Sequence, residues 1–127
     1  MSTPQFPKMP WFPRDFRSST LGWPLAARGV YRELLDAQWD QGGSTGPGTL
    51  PADPEALRAI AMAAPTEWKI AWPYIESKFP LADGGRRNER LETHRQACVR
   101  EYRSRQKGAH TTNTVRWGKN GRSANAQ

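Results

Sequence analysis

The sequence is poor in cysteine and contains no long apolar run. Cys98 is the single cysteine among 127 residues, which excludes an intrachain disulfide and a cysteine-based zinc site and gives no support for an oxidising compartment. No apolar stretch approaches the length of a membrane span, and Pro4, Pro7, Pro10 and Pro13 interrupt the region where a signal sequence needs its apolar core. We therefore expect a cytoplasmic protein without a membrane partner, built as one modest domain with tails.

Recognisable catalytic and cofactor-binding patterns are also missing. The sequence has no Ser-His-Asp set, no Walker-type loop and no Gly-x-Gly-x-x-Gly pattern. His94 and His110 stand alone, without a cysteine or second histidine at the spacing of metal ligands. Glu33, Asp36 and Asp40 recur at helical spacing, but neighbouring arginines favour a solvated helix face over a divalent-metal site. The sequence thus predicts no enzyme, no cofactor and no metal centre.

Acidic residues are scarce in the last third of the chain, and the positive charge lies there. The whole protein carries a net charge of +7. Residues 1–85 hold eight Lys/Arg and nine Asp/Glu, whereas residues 86–127 hold eleven Lys/Arg and three Asp/Glu. A basic block of this kind favours a polyanionic partner, nucleic acid first and an anionic membrane second. The alternative is a solubilising basic tail without a dedicated partner.

Periodicity and turn residues divide the chain into four parts. Residues 1–24 form an aromatic and proline-rich arm, which we expect to be extended and to pack on the domain. Residues 25–91 form the domain, and residues 92–107 form a charged C-terminal helix. Residues 108–127 form a basic tail with too little apolar surface to offset ordering entropy, so we expect disorder there. Within the domain, helices are predicted at 25–40, 53–64 and 66–79, followed by a hairpin at 80–90.

Local signals refine the domain. Asp53 is a natural N-cap for the second helix, and the short segment Thr49-Leu50-Pro51 can pair with the hairpin. Pro73 lies inside the third helix, where it is expected to kink or restart the helix. The core face of that helix is predicted from its helical spacing: Trp68, Trp72, Ile75 and Phe79.

The order of these elements is that of a helix-turn-helix followed by a two-stranded wing. The predicted fold class is therefore mainly α with a small β-hairpin, a winged helix-turn-helix. In such a fold the third helix faces the nucleic acid, and the wing reaches a neighbouring groove or the backbone.

A series of motifs supports this interpretation. It starts with the arm Trp11-Phe12-Pro13-Arg14-Asp15-Phe16 and continues through Gly29-Val30-Tyr31, Leu34-Leu35, Trp39, Gly42-Gly43, Leu50-Pro51, Asp53, Glu67-Trp68, Phe79, Asp83-Gly84, Asn88-x-Arg90-Leu91 and Val115-Arg116-Trp117-Gly118-Lys119. In this order they resemble the YdaU-type family, a domain of unknown function common in phages and prophages. The resemblance implies a winged-helix fold related to phage replication-initiation proteins and DnaD-like primosomal domains. It implies no reaction.

Basic residues supply the candidate nucleic-acid contacts. Arginines on alternate faces of a hairpin can reach phosphates on both sides of a groove, although Arg90 can instead pair with Glu89 or Glu92. The C-terminal part combines cations with Tyr102 and Trp117, a pattern suited to backbone contacts and base stacking. The candidates are Lys69 and Lys78 beside the third helix, Arg86, Arg87 and Arg90 on the wing, and Arg103, Arg105, Lys107, Arg116 and Lys119 in the C-terminal part.

The third helix itself offers no Arg, Asn or Gln for bidentate contacts to bases. Its Ile70, Pro73 and Tyr74 favour a protein-docking surface. We therefore expect a DNA-binding protein with weak or no sequence specificity. The resemblance to the YdaU-type family implies a role in phage or prophage DNA replication initiation. The alternative is an adaptor that docks a helicase or helicase loader without contacting DNA.

Overall fold

The computed structural model describes residues 9–42 and 47–118, with side chains up to residue 108. The elements in chain order are α1 (Pro13–Ser19), α2 (Leu25–Gly42), β1 (Leu50–Pro51), α3 (Pro54–Ala61), α4 (Pro65–Ile75), β2 (Leu81–Ala82), β3 (Gly85–Arg86) and α5 (Glu89–Gly118). A 3₁₀ turn, Glu76–Lys78, follows α4. The described part of the fold is mainly helical, with one small antiparallel sheet of three strands.

The chain divides into two compact units. The first spans Lys8–Gln96 and holds every element from α1 to the first turns of α5. Of the second unit, the structure describes α5 from Ala97 to Gly118. The apolar core formed by α2, α3, α4 and the start of the sheet therefore belongs to the first unit.

Helix α2 supplies most of this core. Its apolar residues recur every three or four positions, so one face of the helix is buried against α3 and α4. Leu34 is completely buried, which stabilises the fold by about 1.5–3 kcal/mol relative to an exposed leucine. The buried residues of α2 are Ala27, Val30, Tyr31, Leu34, Leu35, Gln38 and Trp39.

Helix α4 differs from its prediction in two respects. It passes through Pro73 without interruption and ends at Ile75, where the 3₁₀ turn begins. Pro73 has no N–H to donate, so the helix lacks one backbone hydrogen bond at this residue. The expected core face is confirmed at Ile75 and Phe79, which are fully buried, whereas Trp68 and Trp72 pack against the core but are only partly covered. Ala71 is also buried. The two indoles stack on each other with ring centroids 5.0 Å apart.

A short connection joins α3 to α4. The prediction of Asp53 as an N-cap is confirmed, because its carboxylate accepts a hydrogen bond of 2.9 Å from the Ala56 N–H. At the other end of α3, Met62 adopts a left-handed conformation with φ 57°. The Glu67 carboxylate then accepts from the Ala64 N–H at 2.7 Å, which fixes the start of α4.

The sheet has the order β1-β3-β2 and is antiparallel throughout. The predicted option that the segment around Leu50 pairs with the hairpin is confirmed. β1 pairs with β3, and Leu50 lies opposite Arg86. The hairpin turn holds Asp83 at φ 51° and Gly84 at φ 79°. Positive φ at both central residues is the requirement of a type I′ turn, which Asp-Gly meets at little steric cost.

Two segments contain more helix than expected. The arm was predicted to be extended, but α1 forms from Pro13 to Ser19, because a proline suits the first helical position and residues 14–23 contain no other proline. The C-terminal helix was expected to end at residue 107, but α5 continues to Gly118. Extending an existing helix requires no new nucleation, so polar residues can follow it at low cost. Residues 119–127 of the predicted disordered tail lie outside the described residues.

Candidate nucleic-acid interface

Arg87 is enclosed at the base of the hairpin, with its side chain only 11 % exposed. It donates hydrogen bonds to the Thr49 hydroxyl at 2.6 Å and to the Asp83 carboxylate at 2.7 Å, and Glu89 lies 3.7 Å away. The hydrogen bond to Asp83 is the main reason that the pKa of Arg87 is raised above its usual value. Arg87 thus ties the segment before β1 to the turn between β2 and β3.

The side chain of Arg86 also packs against other residues of the first unit. Its guanidinium donates to the Phe79 carbonyl oxygen at 2.9 Å and lies 3.9 Å from the Glu76 carboxylate. It also lies over the Trp72 ring, 5.1 Å from the centroid. Its side chain is 14 % exposed, so the group connects β3 to the end of α4.

These contacts give Arg86 and Arg87 partners within the protein, and phosphate binding by the two residues stays a prediction. The strands β2 and β3 have only two residues each, so side chains must help the short ladder to hold the hairpin in place. Arginine can do this because its planar fork carries five donors. The two guanidinium groups therefore have a structural role in this geometry.

Arg90 has a different partner from the two that the sequence offered. Its Nη2 donates to the Asp15 carboxylate of α1 at 2.9 Å, and the side chain stays 65 % exposed. Glu92 is buried in other interactions. Arg90 therefore connects α5 to the arm and remains open to solvent.

Helix α4 presents few cations. Lys69 is exposed, and Lys78, in the 3₁₀ turn, is half-buried with its ammonium 5.9 Å from the Trp23 ring. Between them Ile70 is 51 % exposed and Tyr74 is 42 % exposed. The outer face of α4 therefore combines an apolar centre with two lysines.

Sequence reasoning missed a buried polar pair between α2 and the start of α5. The Gln38 amide donates to the Asn88 carbonyl oxygen at 2.9 Å and accepts from the Asn88 N–H at 2.7 Å. The Asn88 side chain accepts from the Leu91 N–H at 2.9 Å, so Asn88 is the N-cap of α5. Two features of the sequence could have indicated this pair: a glutamine on the apolar face of α2 and an asparagine three residues before Leu91.

A buried ion pair lies one turn further along α5. Arg95 is fully buried, with Nη1 at 3.3 Å from the Glu92 carboxylate and Nε donating to the Trp39 carbonyl oxygen at 3.2 Å. Glu92 also accepts from the Gly48 N–H at 3.0 Å. A Cβ at Gly42 would lie 2.1 Å from the Arg95 guanidinium, so this glycine makes room for the arginine. Arg95 is therefore not one of the cations of α5 that are exposed to solvent.

The arm packs against α2 and α5 through aromatic rings. Phe16 stacks on Tyr31 with centroids 5.5 Å apart, and Phe12 lies 5.3 Å from His94. The Arg32 guanidinium lies 3.9 Å from the Trp11 ring centroid. A crevice of about 90 Å³ remains beside these rings, which is well below the roughly 300 Å³ of a typical small-molecule site.

The second unit holds the exposed cations of α5 that follow Gln96. Arg100, Arg103, Arg105 and Lys107 are all exposed, and Arg105 pairs with Glu101 at 3.0 Å. Arg116 lies in the helix, but its side chain is not among those described, and Lys119 lies outside the described residues. Among the predicted site residues, the structure thus brings Arg103, Arg105 and Lys107 together on one exposed segment.

The charge of the protein follows this division into units. Residues 8–96 contain twelve Lys/Arg and eleven Asp/Glu, a net charge of +1. Residues 97–127 contain seven Lys/Arg and one Asp/Glu, a net charge of +6. The first unit is therefore nearly neutral, and the basic character of the protein resides in the segment that begins with the outer turns of α5.

Two other classes of site do not occur in residues 9–42 and 47–118. No group of three or more His, Cys, Asp or Glu side chains is arranged to hold a metal ion. No helix in these ranges is long and apolar enough to cross a membrane.

Comparison with known proteins gives one match. No curated protein and no solved structure is similar enough to this chain to be counted as a match. A family model described as a protein of unknown function, DUF1376, matches residues 9–94. The matched range covers the arm, the core and the sheet and ends just before the cationic part of α5. The chain belongs to the DUF1376 family.

Proposed function

We propose that this protein binds nucleic acid through the exposed cations of α5 and that its first unit is a winged helix-turn-helix body. The short connection between α3 and α4, followed by a hairpin, supports the winged-helix assignment. The resemblance to YdaU-type and DnaD-like proteins supports a role in phage or prophage DNA replication initiation.

One observation carries the proposal. After Gln96 the chain has seven basic residues and one acidic residue, and the cations whose side chains are described there are exposed. On the hairpin, by contrast, Arg86 and Arg87 are largely buried and donate to carbonyl and carboxylate oxygens. Phosphate contacts by Lys and Arg release counterions, which drives sequence-independent binding. The cations of α5 are therefore the first candidates for this contact.

The test replaces three of these cations at once. The variant carries Arg100→Gln, Arg103→Gln and Lys107→Gln in the full chain, and its affinity for a labelled DNA duplex is measured by fluorescence anisotropy over a series of salt concentrations. Each lost phosphate contact lowers the slope of log K against log [salt] by about 0.9. We expect the slope to fall by about 2.7 if all three side chains contact phosphate.

A matched control removes the same charge from the first unit. It carries Arg14→Gln, Arg17→Gln and Arg28→Gln, and we expect its slope to stay close to that of the unchanged protein. Equal loss of affinity in both variants would show that net charge, and not α5, governs binding. Unchanged affinity in the α5 variant would overturn the proposal.

A second candidate function rests on α4. Ile70 and Tyr74 are large apolar residues that remain 51 % and 42 % exposed on one helix face, and such residues favour docking of a partner protein. This would fit an adaptor for a helicase or a helicase loader. A purified candidate partner, treated with nuclease, should bind the unchanged protein and lose affinity for the Tyr74→Ala variant. Binding that disappears on nuclease treatment would instead point to a nucleic-acid bridge.

A further inference from the structure

Helix α5 is continuous from Glu89 to Gly118, so its cations lie on a rod and not on a flexible tail. Resting on the proposed function, we infer that the cationic part of α5 is built for the groove of B-form double-helical DNA. Single-stranded DNA and A-form RNA duplexes would be poorer ligands.

The dimensions of the helix fit this groove. The segment from Ala97 to Gly118 extends over roughly 33 Å at 1.5 Å per residue, and an α-helix with side chains is about 10–12 Å wide. The major groove of B-DNA is about 12 Å wide and admits an α-helix. The major groove of an RNA duplex is deep and narrow, so a helix does not enter it.

Three of the four cations of residues 97–108 lie along one side of the helix. Arg100, Arg103 and Lys107 are spaced i, i+3 and i+7, which places them within about 60° of the helix circumference. Glu101 and Arg105 pair with each other on a different side. A cationic stripe of this kind can face the phosphates of a groove wall.

The described side chains give less support to single-strand binding. Such binding uses aromatic rings on which successive bases stack. In residues 97–108 the sequence offers Tyr102, which is half-buried and whose hydroxyl accepts a hydrogen bond from the Gln106 amide at 3.0 Å. Partial burial of Tyr102 leaves less of its ring face open to a stacking base.

Gly108 provides a direct test of whether an intact helix is needed. A Cβ at this residue would meet nothing within 4 Å, so two substitutions can be compared without a steric clash of that atom. Gly108→Ala favours the helix, whereas Gly108→Pro removes a hydrogen bond and costs about 3 kcal/mol in a helix interior. Neither changes the charge, and circular dichroism of each variant reports helix content.

The experiment measures the affinity of the full-length variants for three probes of one base sequence: DNA duplex, single-stranded DNA and RNA duplex. Probes of roughly 20 base pairs are about twice as long as the helix would cover at 3.4 Å per pair. We expect the unchanged protein and Gly108→Ala to prefer the DNA duplex by on the order of tenfold, because the duplex presents phosphates on both sides of the helix. Gly108→Pro should lose this preference.

The outcomes separate this inference from the proposed function. Equal or tighter binding of single-stranded DNA or RNA duplex would overturn the preference for B-form DNA while leaving nucleic-acid binding intact. If Gly108→Pro kept the whole preference for the DNA duplex, a continuous helix would not be required. That result would also overturn the inference. Absence of binding to all three probes would overturn both proposals.

Discussion

The buried pair of Arg95 and Glu92 gives the sharpest prediction about stability. Replacing Arg95 by Met keeps much of the apolar stem and removes the guanidinium from a site that is fully enclosed. Glu92 then loses its cation while its own side chain remains 9 % exposed. Its two other donors, the Gly48 N–H at 3.0 Å and the Gln96 amide at 2.6 Å, do not neutralise its charge.

The expected cost is large because a buried carboxylate without its cation is poorly solvated. Breaking a buried pair by removing one partner costs about 3–5 kcal/mol, against a total stability of roughly 5–15 kcal/mol for a domain. With a urea dependence of about 2 kcal/mol per molar, a loss of about 4 kcal/mol lowers the unfolding midpoint by about 2 M. Urea unfolding followed by tryptophan fluorescence measures this midpoint.

Arg105→Met is the matched control for this prediction. Arg105 pairs with Glu101 on the same helix, but the two side chains are 72 % and 64 % exposed. An exposed pair contributes about 0–1 kcal/mol, so the control should unfold close to the unchanged protein. The reasoning is refuted if Arg95→Met costs less than about 1 kcal/mol, since the pair would then behave like a surface contact. A double variant with Glu92→Gln should be less destabilised than the sum of the single changes, because the two residues interact directly.

Two substitutions and one chemical modification test local features of the fold and of α5. Gly29→Ala should raise the free energy of unfolding by about 0.5–1 kcal/mol, because Gly29 is exposed inside α2 and a Cβ there meets nothing within 4 Å; a lowered melting temperature would contradict this. Gly84→Ala should lower stability by about 1–2 kcal/mol, since φ at Gly84 is 79°, and no change would argue against the turn geometry. Burial is the main cause that raises the pKa of Cys98, so less thiolate is present and iodoacetamide should alkylate it more slowly at pH 8.5 than it alkylates free cysteine. Faster alkylation would show the opposite shift in pKa.

Elements governed by short-range signals were predictable from the sequence. The hairpin turn follows from Asp83-Gly84, and the start of α3 follows from Asp53 before a proline. Such signals can be recognised in the sequence because the residues that interact with each other lie three or four positions apart. The pairing of β1 with the hairpin was anticipated only as an option, because its partner lies more than thirty residues away.

The roles of the arginines depended on contacts that no local pattern reveals. Arg87 bonds to Thr49, thirty-eight residues earlier, and Arg95 bonds to the Trp39 carbonyl oxygen, fifty-six residues earlier. In the sequence both resemble the exposed cations of α5, such as Lys107. The spacing of charges predicts that a segment is basic, but burial decides which of its cations are available to a ligand.

Availability also decides which cations favour phosphate binding. Moving Arg87 onto a phosphate would break its hydrogen bonds to Asp83 and Thr49, and a hydrogen bond to a charged group contributes about 1.5–3 kcal/mol. That cost would offset much of the gain from a new phosphate contact. Cations that are already solvated, such as Arg100 and Lys107, incur no such loss. Under the proposed function, α5 would therefore gain more binding free energy than the hairpin for the same number of charges, and a hairpin held together by its own arginines would contribute little to sequence-independent affinity.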